Sequence, residues 1–283
     1  MTPLRQQFAE QLQLKGRSDN TIRNYVSAVV AISQHFNTSP LLLKKEQIES
    51  YQFFQLQEKK LSVATVNLCT EALKAFFKIM DPQNTVMSTF SKIKGPRHLP
   101  VVLSREEVES LIATVGNLKQ KAALMLLYSA GLRLHECVRL KPNHIESARM
   151  KVRVEDGKGK KDRYTLLSQR TLLVLRDYYR VYKPKEWLFE GQRGGHYSSK
   201  SIGVIVRTAV RKSGINKKVT PHTFRHSFAT HLLEAGVPLP VIQKLLGHAH
   251  IKTTMIYLHV TEPLVDRVKS PFDMDMTAEV HNG

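Results

Sequence analysis

The chain has 283 residues and carries 43 Lys+Arg against 24 Asp+Glu, a formal net charge of +19. A 42% hydrophobic fraction excludes a disordered polycation, and the length suits one large domain or two modest ones. No run approaches the roughly 18 apolar residues of a membrane span, and the N-terminus lacks the apolar centre of a signal peptide, which points to a cytoplasmic protein. Leu4, Phe8 and Leu12 recur at helical spacing and predict a first helix over 4–14. Ser18 or Asp19 can cap a second, in which Ile22, Tyr25, Val29, Ile32 and Phe36 keep the period. A third helix covers about 45–58, and Ser62 opens a fourth that reaches about Met80 with Val66, Leu73 and Phe77 inward. These four helices, without a strand signal, describe an all-helical domain over 1–90. Its exposed faces carry Lys15, Arg17, Arg23 and Lys74.

The stretch SKIKGPRHLP, residues 91–100, holds Lys92, Lys94 and Arg97 among Gly and Pro and reads as a basic interdomain linker. Ser104 and Glu107 form a capping box that opens a second domain, expected over 101–270. Helices follow over about 105–115 and 119–130. After Arg133–Leu140 the period changes to two: Met150, Val152 and Val154 alternate, Asp156-Gly157 turns the chain, and a return strand runs through Tyr164 and Leu166. Further helices are expected over 169–182, 199–213, 221–235 and 238–246, with a disordered tail over 271–283. Cys69 and Cys137 fall in helical patterns and read as buried free thiols of a reducing compartment. The basic excess is spread over both halves, so it is no detachable tail. Basic surface on two domains fits a polyanion, and nucleic acid comes first.

The helix over 221–235 begins PHTFRHSFATH. Thr220 can cap it, Pro221 suits its first position and Gly236 its end. His222, Arg225 and His226 then share one face, opposite Phe224, Phe228 and Leu232. His222 and His226 have the spacing of two zinc ligands, but no Glu lies between them and Arg225 would aim a positive charge at the metal. An anion suits that face better, and His226 and His231 are expected to pack or hydrogen-bond structurally.

Four further features accompany this helix: SAGLRLHE with Arg133 and Glu136, a hairpin with Lys158, LLGHAH with His248, and TTMIYLH with Tyr257. Jointly they meet the needs of phosphodiester cleavage. Two guanidiniums are planar clamps for phosphate oxygens, a tyrosine hydroxyl can attack phosphorus and keep the bond energy as an ester, and imidazole and ammonium groups can move the protons.

The order Arg133, hairpin lysine, H-x-x-R, L-G-H and a tyrosine nine residues past that histidine resembles the phage-integrase family of tyrosine recombinases, most of all its Xer-like branch. The resemblance spans about residues 1–270. It implies a mainly α fold with a small β-hairpin, in which a four-helix SAM-like core-binding domain precedes an α+β catalytic domain. It also implies that Arg133 and Arg225 grip the scissile phosphate, Lys158 is the general acid (with Lys160 as the alternative), His222 is base or hydrogen-bond partner, and His248 is a second contact. Tyr257 would be the nucleophile and Glu136 a supporting carboxylate. DNA contacts would come from Lys15, Arg17, Arg23, Lys74, Lys92, Lys94, Arg97, Lys160 and Lys161. The resemblance calls for no metal or other cofactor. Its partners would be double-stranded DNA with inverted half-sites and further recombinase subunits, in a homo-tetramer or a hetero-tetramer with a related recombinase, close to the nucleoid. A type IB topoisomerase and a catalytically silent DNA-binding protein are the alternatives.

Overall fold

The computed structural model describes residues 3–84, 90–95, 99–155, 162–192 and 194–259. Serine caps set where the first long helices begin. Ser18 accepts a bond from the Thr21 N–H at 3.3 Å and Ser62 one from the Thr65 N–H at 3.2 Å, each satisfying a donor the helix itself cannot use. Helix α1 (Pro3–Leu14), α2 (Asp19–Phe36), α3 (Lys45–Gln57) and α4 (Val63–Met80) follow, with a 3-10 turn at Pro40–Leu42 that periodicity does not signal. Their apolar stripes meet in one core, where Phe8 and Phe76 pack edge to face with centroids 5.1 Å apart. Burying a ring of that size contributes about 1.5–3 kcal/mol.

The chain divides into two compact units at residue 97, inside the stretch read as a linker. Part of that stretch is held by the first unit. Asn67 on α4 accepts from the Ile93 N–H at 2.8 Å and donates to the Ile93 carbonyl at 3.0 Å, and Phe90 just before it is buried.

In the second unit the capping box is in place: Ser104 accepts from the Glu107 N–H, and the Glu107 carboxylate accepts from the Ser104 N–H at 2.7 Å. It opens α5 (Arg105–Ala113), and Asn117 caps α6 (Leu118–Ser129), one position ahead of the expected start. A short α7 (Leu134–Val138) follows. The expected hairpin is part of a three-stranded antiparallel sheet in the order β1 (Ile145–Glu146), β2 (Lys151–Val154), β3 (Arg163–Leu166). Val152 faces Thr165 and Val154 faces Arg163 across β2 and β3, while β1 pairs Ile145 with Val152. Met150, which alternation assigns to the strand, instead takes a left-handed conformation (φ 49°) that closes the Ser147–Arg149 turn. Tyr164 and Leu166 lie on the outer face, and Thr165 and Arg163 point inward. The turn at Asp156-Gly157 lies outside the described residues.

Helices α8 (Gln169–Tyr182), α9 (Ser199–Ser213), α10 (Pro221–Glu234) and α11 (Leu239–Leu246) complete the unit. Helix α10 is buried on most sides, so most of its polar groups find their partners within the protein. At its N-terminus Thr220 is the N-cap, as expected, and the Thr223 hydroxyl accepts from the Thr220 N–H at 3.0 Å. Ser227 on the same helix accepts from the Leu103 N–H at 2.9 Å and so ties the start of the unit to its centre. Cys69 and Cys137 are buried free thiols. Among the described residues no helix is long and apolar enough to cross a membrane.

Candidate active site

Arg133 immediately precedes α7, and its backbone begins the site. The Glu136 carboxylate accepts from the Arg133 N–H at 2.7 Å and from its Nη1 at 2.8 Å, a capping box made by a functional pair. Glu136 is buried to 4% exposure. A second arginine, Arg163 at the start of β3, donates to both Glu136 oxygens at 2.8 Å. Arg225 on α10 stands 3.9 Å from the same carboxylate. Burial alone would raise the Glu136 carboxyl, but the bonds and charge of Arg163, then those of Arg133, hold it at about 2. One anion is thus shared by three guanidiniums.

Arg225 is the largest fully buried side chain. Its Nη1 donates to the Gly131 carbonyl and its Nη2 to the Leu246 carbonyl, both at 2.6 Å, while its Nε is buried with no hydrogen-bond partner among the described residues. Burial, then the neighbouring Arg133, lowers its pKa from the usual arginine value, yet it stays cationic at neutral pH. The glycine of the SAGLR motif explains itself here. Gly131 has φ +58°, and a Cβ there would stand 2.3 Å from Phe228 Cδ1. Gly131→Ala is therefore expected to lose about 1–2 kcal/mol from left-handed backbone and about 1–3 kcal/mol from overpacking. A denaturant midpoint equal to that of wild type would contradict this reading of the turn.

Tyr257 lies on a 3-10 turn, Met255–His259, that packs on α10. It is 1% exposed, its ring set among Phe228, Leu233, Ile242 and Leu246. The phenol oxygen stands 3.2 Å from His226 Nδ1. Burial raises its pKa, and the charges of Arg225 and Arg133 oppose that rise. The His222 ring meets His226 edge to face at 4.5 Å, so His226 lies between His222 and the tyrosine. His226 is thus hydrogen-bonded as well as packed, within what was expected of it. His231 does pack, bonded to the Tyr128 hydroxyl at 2.9 Å. His248 follows Gly247, the C-cap of α11, and its Nδ1 stands 2.9 Å from the Thr254 hydroxyl. Among the described residues no group of three His, Cys, Asp or Glu side chains could hold a metal ion.

The three histidines are neutral at pH 7. Burial, then the charges around them, depresses His222, brings His226 to about 4 and takes His248 to about 3. In the unfolded chain each would titrate near 6.5. The unfolded state therefore binds more protons below that pH, and stability falls as pH drops from about 6.5 toward 4. Glu136, depressed from its ordinary value to about 2, extends the loss to lower pH. Melting temperature followed from pH 7.5 to 4 should decline throughout; a rise on acidification would contradict the buried neutral histidines.

Arg133, Glu136, His222, Arg225, His248 and Tyr257 thus gather around one buried patch of positive charge. Lys158, Lys160, Lys161 and Arg97 lie outside the described residues. On the first unit Lys15, Arg17, Arg23, Lys92 and Lys94 are exposed, whereas Lys74 is half-buried. Lys92 stands 3.9 Å from Glu71. The reading of the sequence missed Arg163, whose signal is a charge on the inward face of a strand, two residues before the buried Thr165.

Comparison with known proteins gives the same picture. The phage integrase family matches residues 101–263, and the phage integrase N-terminal SAM-like domain matches residues 4–81. A putative integrase/recombinase, y4qK of Sinorhizobium fredii, is 43% identical over 276 residues, covering 97% of this chain and 90% of the relative. Tyrosine recombinase XerA of Pyrococcus horikoshii is 35% identical over 260 residues, covering 90% of this chain and 88% of the relative. A crystal structure of XerA recombinase superposes with a TM-score of 0.55 at 29% identity, covering 93% of this chain and 96% of that one. With both units matched in order and the arginine, histidine and tyrosine motifs gathered in one place, the chain belongs to the phage integrase family, on the Xer-like branch of the tyrosine recombinases.

Proposed function

We propose that this chain cuts and rejoins double-stranded DNA at specific sites through a 3′-phosphotyrosine intermediate, with Tyr257 as the nucleophile. One observation carries the reading: three guanidiniums surround a single carboxylate beside a buried phenol. With the histidines neutral, Arg133, Arg163 and Arg225 exceed Glu136 by two positive charges. A buried excess of charge is unfavourable until an anion joins it, and a phosphodiester supplies the missing charge. Arg133 and Arg225 then stabilise the negative charge that grows on the non-bridging oxygens, the role metal ions fill in other phosphoryl-transfer sites.

In the proposed step the Tyr257 oxygen bonds to phosphorus and the bond from phosphorus to the 5′ oxygen breaks. The phenol proton passes to neutral His226 or, beyond it, His222. Lys158 protonates the departing 5′ oxygen, and attack by a 5′ hydroxyl of another strand reverses the sequence. Exchange between two DNA sites needs four such tyrosines, so the working form is a tetramer on inverted half-sites, of this chain alone or with a related recombinase. The biological role is integration, excision or resolution of mobile DNA or replicon dimers, acting in the cytoplasm at the nucleoid.

A randomised library of nicked duplexes tests this. Wild-type protein should trap a subset covalently, and two copies of the recovered sequence should exchange strands. Relaxation of supercoils without exchange would point to a topoisomerase, and binding without any adduct to a silent DNA-binding protein.

A further inference from the structure

Neither the motif order nor the proposed step gives Arg163 a task, yet it is the most fully engaged cation in the site. Its side chain is 8% exposed. Nη1 and Nη2 donate to the two Glu136 oxygens at 2.8 Å each, and Nε donates to the Leu245 carbonyl at 2.9 Å. Gly247 leaves it room, because a Cβ there would stand 2.7 Å from Arg163 Cδ. The glycine of the L-G-H motif is therefore required by this arginine as well as by its own φ of +64°. Arg163 thus joins β3, the Glu136 carboxylate and the turn that leads into His248.

Arg133 is the other arginine on Glu136, and it makes one side-chain bond there, from Nη1 to Oε1. A guanidinium beside a desolvated carboxylate favours a two-bond, coplanar fork. Here each oxygen already accepts from one arm of the Arg163 fork, so Arg133 shares Oε1 through a single Nη1 bond instead of taking both oxygens. We propose that Arg163 is a positioning residue: by occupying both oxygens of Glu136 it prevents Arg133 from closing on that carboxylate and keeps the Arg133 fork for the scissile phosphate. Arg163 itself touches no reacting atom. The proposal rests on the strand-cleaving reading above, which assigns the phosphate to Arg133.

The test is single-turnover cleavage of a recovered site by the full chain at saturating protein. Arg163→Ala should slow adduct formation by about 10–100-fold, by analogy with the loss when residues that orient metal ligands are removed, with DNA affinity little changed. Removing the competing charge as well should undo part of the harm, so Arg163→Ala/Glu136→Gln should cleave faster than Arg163→Ala alone. A merely structural arginine predicts the reverse, since two losses of support would multiply. Arg163→Lys serves if the alanine variant does not fold: it keeps the charge without the fork, and it too should be slow and should be improved by Glu136→Gln. Wild-type rates for Arg163→Ala, or a double variant slowed by the product of the single effects, would overturn the proposal. Adduct formation by wild-type protein is scored separately, so failure of the strand-cleaving reading is distinguishable from failure of this one.

Discussion

Arg225→Ala is expected to slow strand cleavage by about 10²–10³-fold, the loss typical when a single donor to a developing oxyanion is removed. The buried Nε and the burial of the whole side chain set this arginine apart from a surface cation that solvent could replace. Stability should fall as well. The Gly131 and Leu246 carbonyls would lose their donor, at about 1–3 kcal/mol each for a buried group left unsatisfied. Relief of repulsion with Arg133 and Arg163 offsets part of that loss, because three cations share one carboxylate. The rate loss is therefore read on protein shown to be folded, with Arg225→Lys as the variant that keeps the charge and most of the volume. Denaturant midpoints and single-turnover rates measured on the same preparation check both halves, and an undiminished rate would remove Arg225 from the phosphate clamp.

Tyr257→Phe should abolish covalent capture of DNA altogether. The substitution removes one oxygen and keeps the ring among Phe228, Leu233, Ile242 and Leu246, so the packing is preserved. The bond between that oxygen and His226 contributes about 0.5–1.5 kcal/mol. DNA affinity should stay close to wild type, because a 1% exposed side chain offers little surface to a duplex. Retained adduct formation by the phenylalanine variant would mean that another group attacks.

Much of the fold is legible in the sequence, because local rules govern it. Ser18, Ser62 and Ser104 announce their helices, and apolar spacing at the helical period identifies which faces of α1, α2 and α4 turn inward. What escapes is short or depends on distant partners. The strand β1 has two residues, too few for alternation to register. Met150 fits the strand pattern by hydrophobicity, yet the turn before β2 needs a left-handed residue there.

The candidate site divides in the same way. Arg133, Glu136, His222, Arg225, His248 and Tyr257 sit in motifs whose residue types suit phosphate chemistry, and they were legible for that reason. The roles of His226 and Arg163 depend on neighbours remote in sequence. His226 acquires its partner only when the 3-10 turn at Met255–His259 folds back onto α10. Arg163 acquires its place only when Gly247 and Glu136 meet it from two other elements. Neither arrangement leaves a periodic trace.

Esterification of the Tyr257 phenol to DNA is tested most directly by peptide mapping of the trapped adduct. Wild-type protein trapped on a nicked duplex, digested with protease and nuclease and read by tandem mass spectrometry, should carry the nucleotide remnant on Tyr257 alone, joined through a 3′ phosphate, with a free 5′ hydroxyl on the released strand. A remnant on any of the other tyrosines, or a linkage through a 5′ phosphate, would contradict it.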